Sequence, residues 1–100
     1  MNINDLYKQM LDTALNVVGD EAQQMSGPLQ KALNAQKTSI EALAQAKLNG
    51  EINEDEFTAE LEREKAILEV ELITLEIIAK ATVQKAINAA MSCLTSALAR

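Results

Sequence analysis

The chain has 100 residues and a net charge of −6, with nine scattered bases, no histidine and no tryptophan. This length predicts one domain, 1–100, near the lower limit for a core of its own. Scattered bases, with Tyr7 and Phe57 as the only aromatic residues, argue against nucleic-acid binding, which needs clustered Lys and Arg and stacking rings. A core of Leu, Ile, Val, Met and Ala favours packed helices over a sheet.

Two features of the sequence bear on location. Residues 1–5 lack the cationic and apolar segments of a secretory signal, and the longest charge-free run near the other end, residues 86–99, has 14 residues. Because a bilayer span takes about 20 residues, we expect no membrane span. A membrane-surface helix over residues 77–100 is the alternative, but two lysines and an Ala-rich apolar face would attract anionic lipids weakly, so no membrane partner is expected. Cys93 has no second cysteine with which to pair. A cytoplasmic protein is therefore expected.

The first predicted helix covers residues 3–18, where apolar residues recur every three or four positions and so share one face. Gly19 ends this helix. Residues 20–27 are interpreted as a polar connection with room for one short turn. The second predicted helix covers residues 28–48, because Pro28 fits a first helical position, where its missing N–H costs nothing.

A helical hairpin is predicted at residues 48–54. Gly50 can adopt the left-handed conformation that often follows a helix. Asn53 and Glu56 have the spacing of a capping box, and Ile52 and Phe57 have the spacing of a hydrophobic staple. These three local signals agree, and together they predict a tight reversal between two helices.

The same turn, residues 49–57, resembles the second half of an EF-hand calcium loop. Gly50 would be the sharp-turn glycine and Glu56 the bidentate carboxylate. In the first half, however, Gln45 and Lys47 stand where oxygen ligands are needed, and a lysine is excluded from a calcium site by its charge. We therefore expect no calcium binding.

Residues 53–98 are predicted to be helical, because residues 53–99 contain neither glycine nor proline. Ten acids and two bases lie between Glu51 and Glu76, and three bases without acids follow, which suits the helix dipole. The segment is read as one long helix or two in line, with a break near residues 79–82 as the alternative. The alternation at residues 68–72 also allows a strand, but no second strand could pair with it.

The predicted fold class is therefore all-α: an antiparallel helical hairpin or bundle of three or four helices with a long C-terminal helix. No catalytic residue, cofactor or metal site is expected, since histidine, phosphate-binding loops and nucleophile motifs are absent. A small enzyme that uses carboxylates or Tyr7 is a minor alternative.

The favoured function is a non-enzymatic protein-interaction or assembly module, such as an adaptor, chaperone or scaffold, that self-associates through its C-terminal helix. Residues 67–78 are apolar on most sides, which is typical of a helix buried on more than one side. An antiparallel dimer would place the acidic stretch of one chain beside the basic end of the other. The residues predicted at this interface are Val70, Ile73, Ile77, Ile78, Val83, Ile87, Met91 and Leu94.

Two further partners are consistent with the sequence. One is a helix of another protein, bound by the same apolar residues. The other is a basic protein, bound by a monomeric bundle through an acidic face around residues 54–71. A stable monomer whose binding weakens with salt would distinguish this last alternative.

Overall fold

The computed structural model describes residues 3–75 and 78–98, without the side chain of Ile3. The described chain is an all-α bundle, as the composition predicted. Its helices are α1 (Ile3–Val18), a 3-10 turn (Gly19–Glu21), α2 (Ala22–Leu48), α3 (Glu54–Thr74) and α4 (Lys80–Leu98).

Successive helices are antiparallel and each packs on the next, and α4 returns to pack on α1. Lys37 Nζ donates a hydrogen bond to Asn4 Oδ1 between α2 and α1, and Gln36 Nε2 donates one to Glu64 Oε2 (2.6 Å) between α2 and α3. The most extensive contact joins α1 to α4, while α1 and α3 lie diagonally opposite. The body measures 39 × 22 × 19 Å, so α2, at about 40 Å, spans its full length.

The prediction for residues 20–27 is wrong, because α2 begins at Ala22 and Pro28 lies inside it. Gly19 does end α1, with φ of +59°. The chain then re-enters a helix after three residues because Met25 and Leu29 are fully buried. Gly27 helps, since a residue without Cβ avoids the clash that disfavours helical conformation before proline. Burial thus outweighs the hydrogen bond lost at Pro28.

The hairpin at residues 48–54 is confirmed. Gly50 has φ of +73°, and Glu56 N donates to Asn53 Oδ1 (2.8 Å) while Asn53 N donates to Glu56 Oε1 (3.0 Å). Phe57 is buried, and Ile52 packs half-buried against the core. Lys47 Nζ lies 2.6 Å from Glu54 Oε2 across the turn. Local side-chain chemistry therefore specifies this reversal.

The reading of residues 53–98 as one helix, or two in line, is wrong, because α3 ends at Thr74 and α4 begins at Lys80. The alternative, a break that closes a four-helix bundle, is confirmed, although the described non-helical residues, Leu75 and 78–79, overlap the predicted range only at Ala79. Thr74 Oγ1 donates to Val70 O (2.6 Å), and Leu75 N donates to Leu72 O in a tighter last turn. A straight 46-residue helix would be about 69 Å long and would leave the apolar face of α4 uncovered.

Candidate interaction surface

α3 carries large apolar side chains on two sides. Leu68 and Leu72 are 0% and 1% exposed in the core, whereas Ile67, Val70 and Leu75 are 39%, 64% and 48% exposed. Residues three or four positions apart are neighbours on a helix surface, so Ile67 and Val70 lie side by side on the outer side of α3. The C-terminal half of α3 therefore presents apolar surface to solvent in the described structure.

A shallow groove of about 290 Å³ separates α2 from α3 beside these residues. Three small side chains and the longer Lys31 from α2 form one wall, and larger side chains from α3 and its C-cap form the other. The lining residues are Pro28, Lys31, Ala32, Ala35, Glu71, Leu72 and Leu75. We define the α2–α3 face as the outer surface formed by Pro28, Lys31, Ala35, Ile67, Val70, Glu71 and Leu75.

The α2–α3 face carries one base and one acid, Lys31 and Glu71, and both are exposed. The ion pairs found within residues 3–75 and 78–98 are Lys47–Glu54 (2.6 Å) and Glu60–Arg63 (3.4 Å). Lys31 and Glu71 belong to neither pair. The face thus combines apolar surface with two charges of opposite sign that the chain itself leaves unpaired in the part described.

The eight residues predicted for an interface fall into three groups. Val70 is exposed and Ile73 is half-buried, both on α3. Ile77 lies outside the described residues. The other five are between 0% and 7% exposed and belong to the core of the single chain: Ile78, Val83, Ile87, Met91 and Leu94. Because α4 packs on α1, its apolar face is covered within one chain, and contact of these residues with a second chain stays a prediction.

Sequence reasoning did not select Ile67, Leu75 or Pro28 for this surface. A signal for Ile67 and Leu75 was present, since residues 67–78 are apolar nearly all round and one side must face away from the core. Which side that is depends on the direction of α2 and α4 from α3. Pro28 carried no signal, because the sequence placed it at the start of a helix.

The EF-hand-like turn uses its carboxylates for structure. The side chain of Glu56 accepts the N–H of Asn53, and Glu54 pairs with Lys47. Within residues 3–75 and 78–98, no group of three or more His, Cys, Asp or Glu side chains could hold a metal ion. The described geometry here is that of a helix cap.

Tyr7 lines a second groove, of about 380 Å³, between α1 and α2. Its hydroxyl is buried, and it has no hydrogen-bond partner in the described part of the chain. Burial, followed by the negative charges of Glu64 and Glu41, raises the pKa of the Tyr7 phenol far above its usual range. The folded protein therefore holds the phenolic proton more tightly than an exposed tyrosine would.

Comparison of the chain with protein-family models, with curated proteins and with solved structures gives no match. No helix in the described ranges is long and apolar enough to cross a membrane.

Proposed function

We propose that the chain is a non-enzymatic helical interaction module that self-associates through the α2–α3 face. The observation that carries this proposal is the exposure of Val70, at 64%, beside Ile67, with Leu75 exposed at the adjoining groove. Clustered exposed apolar residues next to a groove are typical of protein-binding surfaces. A homodimer is the proposed assembly, and a helix of another protein is a further partner that this face could bind.

The location of the surface differs from the one expected from the sequence. The apolar residues of α4 are used within the chain, so the remaining apolar surface lies on α3, the first half of the predicted long helix. Helical bundles commonly associate by packing such an outer stripe against another helix. The self-association proposal therefore keeps Val70 and adds Ile67 and Leu75, whereas Ile73 packs half-buried against the core.

The test is the solution molar mass by light scattering on a sizing column, over a hundredfold range of protein concentration. The wild-type chain should show a dimer of twice 10.9 kDa. Val70→Asp should weaken the dimer by about tenfold or more, because it places a charge in an apolar contact. Circular dichroism should show unchanged helicity, since Val70 faces solvent in the single chain.

Leu48→Asp is the matched control, because Leu48 is also 48% exposed but lies at the end of α2 beside the hairpin turn. The dissociation constant of its dimer should match that of the wild type. A wild-type monomer at every concentration would rule out self-association. An equal loss of dimer in Val70→Asp and Leu48→Asp would rule out the α2–α3 face.

A second candidate function is favoured by the groove between α3 and α4. Glu54 and Glu62 line this groove of about 560 Å³ together with a single base, Lys65. We propose it as the site where a monomeric bundle would bind a basic protein partner. Binding of a lysine-rich helical peptide to monomeric protein, weakening as salt rises, would favour this second candidate.

A further inference from the structure

We propose that the partner of the α2–α3 face is a second copy of this chain, related by a two-fold axis that passes between Lys31 and Glu71. In this arrangement α2 of each copy lies over α3 of the other, and Lys31 of each copy pairs with Glu71 of the other. This proposal rests on the proposed self-association and adds the register, that is, which residues of the two copies face each other.

The register follows from the spacing of residues along the two helices. Pro28, Lys31 and Ala35 stand about one turn apart on α2, and Ile67, Glu71 and Leu75 stand about one turn apart along α3 and its C-cap. Residues at this spacing share one side of a helix. For the two faces to meet, the two-fold axis must lie between them, and we place it parallel to the helices, between α2 and α3. This axis keeps the direction of each helix and exchanges the two sides. Therefore α2 of one copy runs antiparallel to α3 of the other, and the two triplets meet in reverse order, with Lys31 on Glu71.

The sizes of the facing side chains are complementary in this register. Leu75 would meet Pro28, and Ile67 would meet Ala35, so that each large exposed residue of α3 or its C-cap faces a smaller residue of α2. The face is therefore self-complementary, as a two-fold contact requires. It also closes after two copies, which prevents the open-ended growth that a head-to-tail contact would allow.

The charges select the same register. Lys31 and Glu71 are exposed, and neither belongs to an ion pair within the described residues. The two-fold axis creates two identical Lys31–Glu71 contacts, one on each side of the axis. A shift by one helical turn would place Lys31 against apolar residues instead. Charge pairs of this kind fix orientation more than they add affinity.

Charge reversal tests the register. Lys31→Glu and Glu71→Lys should each weaken the dimer by about tenfold, because each change turns two attractive contacts into two repulsive ones. The double variant Lys31→Glu/Glu71→Lys should return to within about threefold of the wild type, since the two pairs re-form with exchanged sign. The neutral variants Lys31→Gln and Glu71→Gln should weaken the dimer less, and they keep the test valid if a reversal impairs folding.

Lys8→Glu is the matched control, because it changes the net charge as Lys31→Glu does but lies on α1, in the groove beside Tyr7. Its dimer should match that of the wild type. If Val70→Asp breaks the dimer while the double variant shows no recovery over the single reversals, the proposed register is wrong and self-association stands. If the wild type is monomeric throughout, self-association fails and the register fails with it.

Discussion

At the residue scale, the chain's only tyrosine, Tyr7, is buried. Its side chain lies in the core near α2 and α3, Lys37 Nζ lies 6.0 Å from the centre of its ring, and its buried hydroxyl is unpartnered in the described structure. Burial and the nearby Glu64 and Glu41 raise its pKa. The folded state therefore holds the phenolic proton more tightly than the unfolded state does.

This pKa predicts a specific loss of stability in alkali. Above about pH 10 the unfolded chain releases the phenolic proton while the folded chain retains it. The stabilisation that depends on the protonated Tyr7 phenol is therefore fully present below that pH. As the pH rises further, the free energy of unfolding falls by up to about 1.4 kcal/mol per pH unit. Urea denaturation from about pH 8 to pH 11 should show a smaller fall for Tyr7→Phe.

The near-ultraviolet absorbance of tyrosinate reports this titration directly, because the chain has one tyrosine and no tryptophan. Ionisation in the folded protein should begin well above the ordinary tyrosine range. An ordinary titration curve, or an equal alkaline loss of stability in Tyr7→Phe, would contradict the buried position of the hydroxyl.

At the element scale, α3 begins where its own side chains cap it. Asn53→Ala removes the oxygen that accepts the N–H of Glu56 and should lower the free energy of unfolding by about 1 kcal/mol. Asn16→Ala is the control, because Asn16 is exposed inside α1 and should change stability by less than about 0.5 kcal/mol. Urea denaturation followed by circular dichroism measures both. Equal changes in the free energy of unfolding of the two variants would show that the Asn53 cap adds no specific stabilisation.

The elements differ in how far the sequence predicted them. The bounds of α1 and the hairpin around Gly50 were predictable, because apolar spacing and capping act between residues a few positions apart. The start of α2 was not, since it depends on the burial of Met25 by other helices, which outweighs the local signal of Pro28. The end of α3 was also missed, because no glycine or proline marks it and the driving force is the packing of α4 on α1. Which side of α3 faces solvent depends on the same packing, so the sequence alone did not predict it.

At the scale of the whole molecule, α4 belongs to the core of its own chain. Ile87 is fully buried, so Ile87→Ala should lower the free energy of unfolding by about 2–5 kcal/mol. Val70→Ala should change it by less than about 0.5 kcal/mol when the protein is dilute enough to be monomeric. Urea denaturation at several protein concentrations measures both. A loss in Ile87→Ala that disappears on dilution of both proteins would instead place α4 between chains.

The pairing of α1 with α4 joins the first helix of the bundle to the last. During synthesis α2 and α3 can form their hairpin as soon as both are made, whereas α1 lacks its most extensive partner until Lys80–Leu98 has followed. The core side of α1, which includes the fully buried Met10 and Ala14, can pack on α2 but not yet on α4 in the nascent chain. Transiently exposed apolar surface promotes wrong association, so the interval before α4 emerges is when this protein is most vulnerable to aggregation.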